Sequence, residues 1–147
     1  MAAYSGVHRT AAGTNLTILA LESSASVVGK IHQIIIGSAA TPADVATQFD
    51  VIRHTAAGAA GTAVVEKPTD PQSGAAACNL RGGTMTEPTY EADFLEEFSL
   101  NQRATFTWNA NPGRELRTTV GTANGIGVRS VASGGTPSIS CTLHWDE

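Results

Sequence analysis

Charge is scarce in this chain. Asp, Glu, Lys and Arg together make up 15% of the residues, against roughly a quarter in an average soluble domain. Lysine occurs only twice, as Lys30 and Lys67, the seven arginines are scattered, and the formal net charge is −4. A surface built to neutralise many phosphates needs clustered Lys and Arg, so nucleic acid is not the expected partner. Aromatic residues are thin as well, at 5%, which leaves few side chains for the exposed platforms that carbohydrate recognition uses. Long apolar runs are missing. The first begins at Leu16 and is interrupted by Thr17 and Glu22, and nothing approaches the roughly 20 apolar residues of a membrane span. The opening Met1-Ala-Ala-Tyr-Ser-Gly-Val-His-Arg9 lacks the basic start and apolar core of a secretory signal. The expectation is a protein made in a cytoplasm and not translocated.

Cysteine is scarce too. Cys78 and Cys141 are the only two, and their separation is not that of a metal site, which needs CxxC or comparable spacing. They read as two separate small hydrophobes; whether a bridge joins them cannot be read from their spacing. No cofactor is expected. The four histidines, His8, His32, His54 and His144, are not paired at metal-ligand spacing. A triad assembled from Ser130, His54 and Asp50 has no GxSxG context. Gly58-Ala-Ala-Gly61 and Gly125-Ile-Gly127 lack the GxGxxG spacing and the lysine of a phosphate cradle. The residues thus argue against an enzyme.

What is present is a period of two. The chain has 147 residues and a mass of 15.1 kDa, which suits one domain. In Ser138-Ile-Ser-Cys-Thr-Leu-His-Trp145, Ile139, Cys141, Leu143 and Trp145 share one face, while Ser138, Ser140, Thr142 and His144 share the other. That is a half-buried antiparallel strand. Phe106 and Trp108 alternate with Thr105 and Thr107 in the same way, and Phe49 pairs with Val51. The apolar run Lys30–Ile36 predicts a strand covered on both faces. Further strands are predicted at 16–21, 62–66, 94–100, 117–120 and 127–131, with Asn101-Gln102 as a hairpin link between 94–100 and 103–109. Thr41–Thr47 reads as a turn and Ala56–Thr62 as a loop tip. Pro68–Tyr90 is a long segment without strand pattern, of the kind that is functional or packed on itself. The predicted architecture is an all-β, antiparallel two-sheet β-sandwich, jelly-roll-like, with a closed barrel as the alternative. Residues 1–14 read as an extended N-terminal arm and 15–147 as the sandwich.

Two features suggest contact surfaces. The arm is too rich in Gly and Ala to contribute much core, yet it carries Tyr4, His8 and Arg9, and Tyr and Arg are enriched at interface hot spots. It is expected to touch a neighbouring subunit or a larger assembly. The second feature is an acidic run, Glu87, Glu91, Asp93, Glu96 and Glu97, with no base among them. On a strand the adjacent Glu96 and Glu97 face opposite sides, so they do not form a catalytic pair. The run reads as a solvated face, or as one that docks on a basic surface through Glu91 and Asp93.

The layout has a counterpart. A short polar opening, Met-Ala-Ala-Tyr-Ser-Gly, leads into Leu16-Thr-Ile-Leu-Ala-Leu21. Phe98-Ser-Leu-Asn-Gln-Arg-Ala-Thr-Phe-Thr-Trp108 is followed by a Pro-Gly turn, Gly125-Ile-Gly127, and a final strand ending in His144-Trp-Asp-Glu147. This resembles the small β-sandwich head proteins of tailed bacteriophages, the cement or decoration proteins. The resemblance implies a virion structural protein on the outer surface of an icosahedral capsid, made in the host bacterial cytoplasm. It implies the major capsid protein as partner and a homo-oligomer, a trimer. It carries over no catalytic, cofactor or metal residue. The competing expectation is a tail or fibre component, or a lectin-like binding module.

Overall fold

The computed structural model describes residues 1–59, 61–83 and 85–147; Ala60, in the predicted loop tip, and Thr84, in the 68–90 segment, lie outside the described residues. Among the described residues there is no helix, and two antiparallel sheets pack face to face. Sheet I follows the order β10 (Leu116–Arg117), β3 (Lys30–Ala40), β12 (Ser138–Asp146), β1 (Ala3–Ala11), β6 (Lys67–Pro68), with β9 (Thr105–Asn109) also on β3. Sheet II follows the order β5 (Thr62–Val64), β7 (Asn79–Gly82), β2 (Leu16–Glu22), β11 (Gly125–Ser133), β4 (Ala46–Ala56), β8 (Thr89–Asn101). The two-sheet sandwich expected from the period of two is therefore present; the strand order supports no further assignment to a jelly roll.

The alternation translates directly into packing. Ile139, Cys141, Leu143 and Trp145 are buried, and the intervening Ser138, Ser140, Thr142 and His144 are half-buried on the outer face. Ile34 and Ile36 pair with Leu143 and Cys141, and a bulge in β3 beside His144 and Trp145 sets Ile31 opposite Trp145. From sheet II, Leu19, Leu21, Val51, Ile126 and Val128 complete the core. Each such side chain contributes roughly 1.5–3 kcal/mol by leaving water. Phe106 and Trp108 share a face but are half-buried, because β9 lies at the border of sheet I. The predicted cover on both faces of Lys30–Ile36 holds on the inner face; Gln33 and Ile35 are half-buried on the outer one.

Two expected features are corrected, besides the 68–90 segment, which holds β7 and the start of β8 where no strand pattern is expected, and the strand expected at 117–120, which is limited to Leu116–Arg117. Residues 1–14 are not a free arm: β1 pairs along its whole length with β12, from Ala3 opposite Asp146 to Ala11 opposite Ser138, and β6 flanks Tyr4 and Ser5. The cause is an alternation hidden by small side chains. Tyr4, Gly6 and His8 turn inward, where Tyr4 stacks on Trp145 at 5.7 Å between ring centroids and Gly6 leaves room for Leu80. The second correction concerns Asn101-Gln102. β8 pairs with β4 and β9 with β3, so the chain crosses between sheets there and forms no hairpin. Gln102 anchors the crossing: it is buried, its backbone amide donates to Val45 O, its side-chain oxygen accepts from Ala43 N, and its Nε2 donates to Thr47.

Candidate functional site

The residues expected to form a contact surface are dispersed by the fold. Tyr4 is 4% exposed and belongs to the core. His8 is half-buried in the inter-sheet space, its ring lying over Gly82 and Gly83 of the facing sheet; burial lowers its pKa. Arg9 is exposed on the outer face of sheet I. Glu91 and Asp93 are exposed on β8, which borders sheet II. Of the expected interface set, Arg9, Glu91 and Asp93 are open to a partner, and Arg9 stands on a different sheet from the two acids. Tyr4 is removed from that set because its ring is needed against Trp145.

A concentration of polar side chains joins residues that the sequence leaves apart: Asp50 and His54, which lack the context of a triad, Glu87 of the acidic run, and Arg129. It covers the outer face of sheet II, beneath the segment that leads into β8. Asp50 on β4 is 2% exposed and accepts from Arg129 on β11, with Nη2 at 2.6 Å from Oδ2. Arg129 lies over the Tyr90 ring at 5.0 Å. Glu87 accepts from the Thr17 amide at 3.0 Å and from the Thr17 hydroxyl. That leaves the Tyr90 hydroxyl, 2.5 Å from the Thr17 oxygen, to donate to it. Burial raises the Tyr90 pKa, so the phenol stays protonated. His54 is 2% exposed; its Nδ1 lies 3.1 Å from the Ala123 carbonyl and its Nε2 has no hydrogen-bond partner among the described residues. Its pKa is lowered, by burial against the opposing carbonyl contact, so the ring is neutral with the proton on Nδ1.

Local sequence explains why these groups meet. A bulge in β2 against Val128 and Arg129 turns Thr17 toward Arg129 and away from the core face that holds Leu19. Gly125 and Gly127 leave bare backbone on that face. A Cβ on Gly127 would lie 2.4 Å from the Tyr90 hydroxyl, and one on Gly125 would lie 2.3 Å from His54 Nε2. The Gly-x-Gly element is thus a seat for two rings, whose centroids stand 6.0 Å apart in an edge-on arrangement. The signal available in the sequence was an Asp and an Arg in the middle of strand patterns, at positions where only a cross-strand partner makes them tolerable.

Chemically, the cluster holds a strap in place. Its carboxylates are engaged by Arg129 and Thr17, and its phenol is protonated. Among the described residues no group of three or more His, Cys, Asp or Glu is placed to hold a metal ion. Cys78 and Cys141 are separate, free and buried; burial and the nearby Glu147 push the Cys78 thiol up to about 12. His32 and His144 approach each other on the outer face of sheet I, 6.1 Å between centroids, with Asp146 3.8 Å from His32. A cleft of ≈ 350 Å³ beside β5 and β7 is lined by Glu66, Asn79 and Arg81. Two of these are already used: Glu66 accepts from the Leu80 amide, and Arg81 is paired with the buried Glu22 at 2.7 Å.

The outer face of sheet I differs in character. Its central row reads Val7, Thr142, Ile35, Thr107 across four strands, flanked by Arg9, Ser140, Gly37 and Thr105. Val7 is 49% exposed. This is a face of small, mostly uncharged side chains with no covering layer among the described residues. The chain matches no protein-family model, no curated protein and no solved structure. Among the described residues no helix is long and apolar enough to cross a membrane.

Proposed function

We propose that the protein is a virion structural subunit, a cement or decoration protein bound to the outer surface of a tailed-phage head through the major capsid protein, and self-associating there. The observation that carries this reading is the outer face of sheet I. A surface subunit must bury area against a neighbour without reactive groups, and the row Val7–Thr142–Ile35–Thr107 is a face of that kind. Small β-branched side chains lose little entropy on contact, and weak binding per copy suffices when many symmetric copies act together. Glu91 and Asp93, exposed on β8, would steer the subunit toward a basic patch. The lectin-like alternative has less support, because Tyr4 and Trp145 are buried and the Tyr90 ring is held under Arg129.

The test is co-sedimentation of the purified protein with empty capsids of its own source. The native chain is expected to co-sediment and saturate. Val7→Lys puts a charge into the proposed contact and should weaken binding at least about tenfold, or roughly 1.4 kcal/mol, with the far-ultraviolet circular dichroism unchanged. Absence of binding by the native chain refutes the reading.

A further inference from the structure

Sheet edges are hazards that folded proteins blunt with brevity, charge, proline or bulges, and all but one of the edges among the described residues are blunted; β1, unpaired beyond Ser5 on the side of β6, carries Arg9 there. β8 carries Glu91, Asp93, Glu96 and Glu97, and its register against β4 breaks repeatedly between Val51 and Ala56. β5 has three residues; β6 has two, one of them Pro68; β10 has two, one of them Arg117. β9 is the exception. Its five residues, Thr-Phe-Thr-Trp-Asn, carry no charge and no proline, and they pair with β3 from Gly37 to Gln33 without a register shift.

The hydrogen-bond phase of β9 fixes which groups are unsatisfied. The Ala110 amide donates to His32 O at 2.9 Å, one step beyond the Asn109–Gln33 pair. In an antiparallel ladder bonded and non-bonded pairs alternate. Phe106 and Trp108 therefore bond to β3, and the amides and carbonyls of Thr105, Thr107 and Asn109 point outward, away from the sheet. The inner-face Phe106 and Trp108 are left half-buried, with Phe106 stacked on Phe98 at 4.1 Å.

We propose that β9 is a self-pairing edge: two copies of this chain join β9 to β9 antiparallel about a two-fold axis at Thr107, making sheet I continuous across the dimer. In that register Thr107 faces its own copy, Thr105 faces Asn109 of the second copy, and each outward amide meets an outward carbonyl. Phe106 then stands opposite Trp108 of the second copy, and both half-buried aromatics gain cover from a cross-strand pair. The strand's own sequence selects a second copy as the occupant: about Thr107 it is self-complementary, Phe106 meeting Trp108 on both sides of the axis, and neither strand brings a charged side chain that would add to the repulsion between two chains of net charge −4. The closed contact is isologous, as two-fold interfaces must be. It differs from the trimer that the phage resemblance implies, and it stands or falls independently of capsid binding.

Sedimentation velocity on the full-length protein should give a concentration-dependent dimer. Thr107→Pro removes the outward amide at an edge position where proline is tolerated and should leave a monomer; Thr107→Lys, which keeps the amide but sets two like charges face to face, should do the same. Circular dichroism checks that each variant is folded, and if the proline variant is not, the lysine variant decides. Thr107→Ala should remain dimeric. The register is read by Thr107→Cys: directly bonded antiparallel partners lie about 5.5 Å apart at Cα, within disulfide reach, so mild oxidation should give a covalent dimer. Thr105→Cys, facing Asn109, should not cross-link. A native chain that is monomeric or trimeric at all concentrations, or a dimer unaffected by Thr107→Lys, overturns the proposal.

Discussion

Asp50 is a charge held almost out of water, 2% exposed, with Arg129 as its counterion. Such a pair adds little over an apolar replacement of both partners, because desolvation offsets the attraction, but removing one partner strands the other. Arg129→Met leaves the Asp50 carboxylate buried without its donor. The expected loss is about 3 kcal/mol, the low end of the range for breaking buried pairs, since the Arg129 side chain keeps 20% exposure. A chain of this size should then melt roughly 6–12 °C lower. The double variant Asp50→Asn, Arg129→Met should recover part of the loss, which a double-mutant cycle in urea reads directly. The pairing itself was not legible in the sequence, because Asp50 and Arg129 become neighbours only through the β4–β11 register.

At the scale of elements, β1 decides how the ends of the chain behave. It lies between β12 and β6, and its Tyr4 ring covers Trp145. Deleting residues 2–11 therefore uncovers the inner edge of β12 and the Trp145 indole. The truncated chain is expected to lose its near-ultraviolet circular dichroism and to show red-shifted tryptophan emission; a truncated chain with native spectra and melting would return β1 to the status of a loose arm. Strands with bulky alternation, such as β12 and β4, were legible because burial and side-chain size go together there. β1 and β7 were not. Their inward positions include Gly6 and Gly82, whose role is to admit Leu80 and His8 from the facing sheet, and a glycine that makes room leaves no hydrophobic signal.

The whole molecule should respond to acid through its histidines. Burial holds His8, His54 and His144 below the ordinary value near 6.5, with His32 adding to the effect at His144. A histidine with a lowered folded pKa takes up its proton more readily in the unfolded chain. Its contribution is therefore complete above about pH 6.5 and is lost as pH falls below that value toward the folded pKa. Glu22 acts in the opposite sense: burial raises its pKa against the pull of Arg81, so its stabilising effect fades as pH rises from about 4.5. Three histidines against one carboxyl give a melting temperature lower at pH 5.5 than at pH 7.5. His54→Gln should shrink that difference, and a melting temperature that rises on acidification contradicts the assignment.

Composition and the period of two were sufficient for an all-β, two-sheet, lightly charged domain, because side-chain alternation is a local property of a pleated strand and survives in the sequence wherever the buried side chains are large. The same local logic placed Ile139, Leu143 and Trp145 in the core. Tertiary structure alone decided the rest: that β8 and β9 belong to different sheets, that Tyr4 is core and Arg9 surface, that Glu87 and Tyr90 close over Thr17, and that β9 is left as an uncharged edge. Each of these depends on which distant strands become neighbours and in what register. Register is settled by the summed fit of many side chains across two sheets, and no window of the sequence contains that sum.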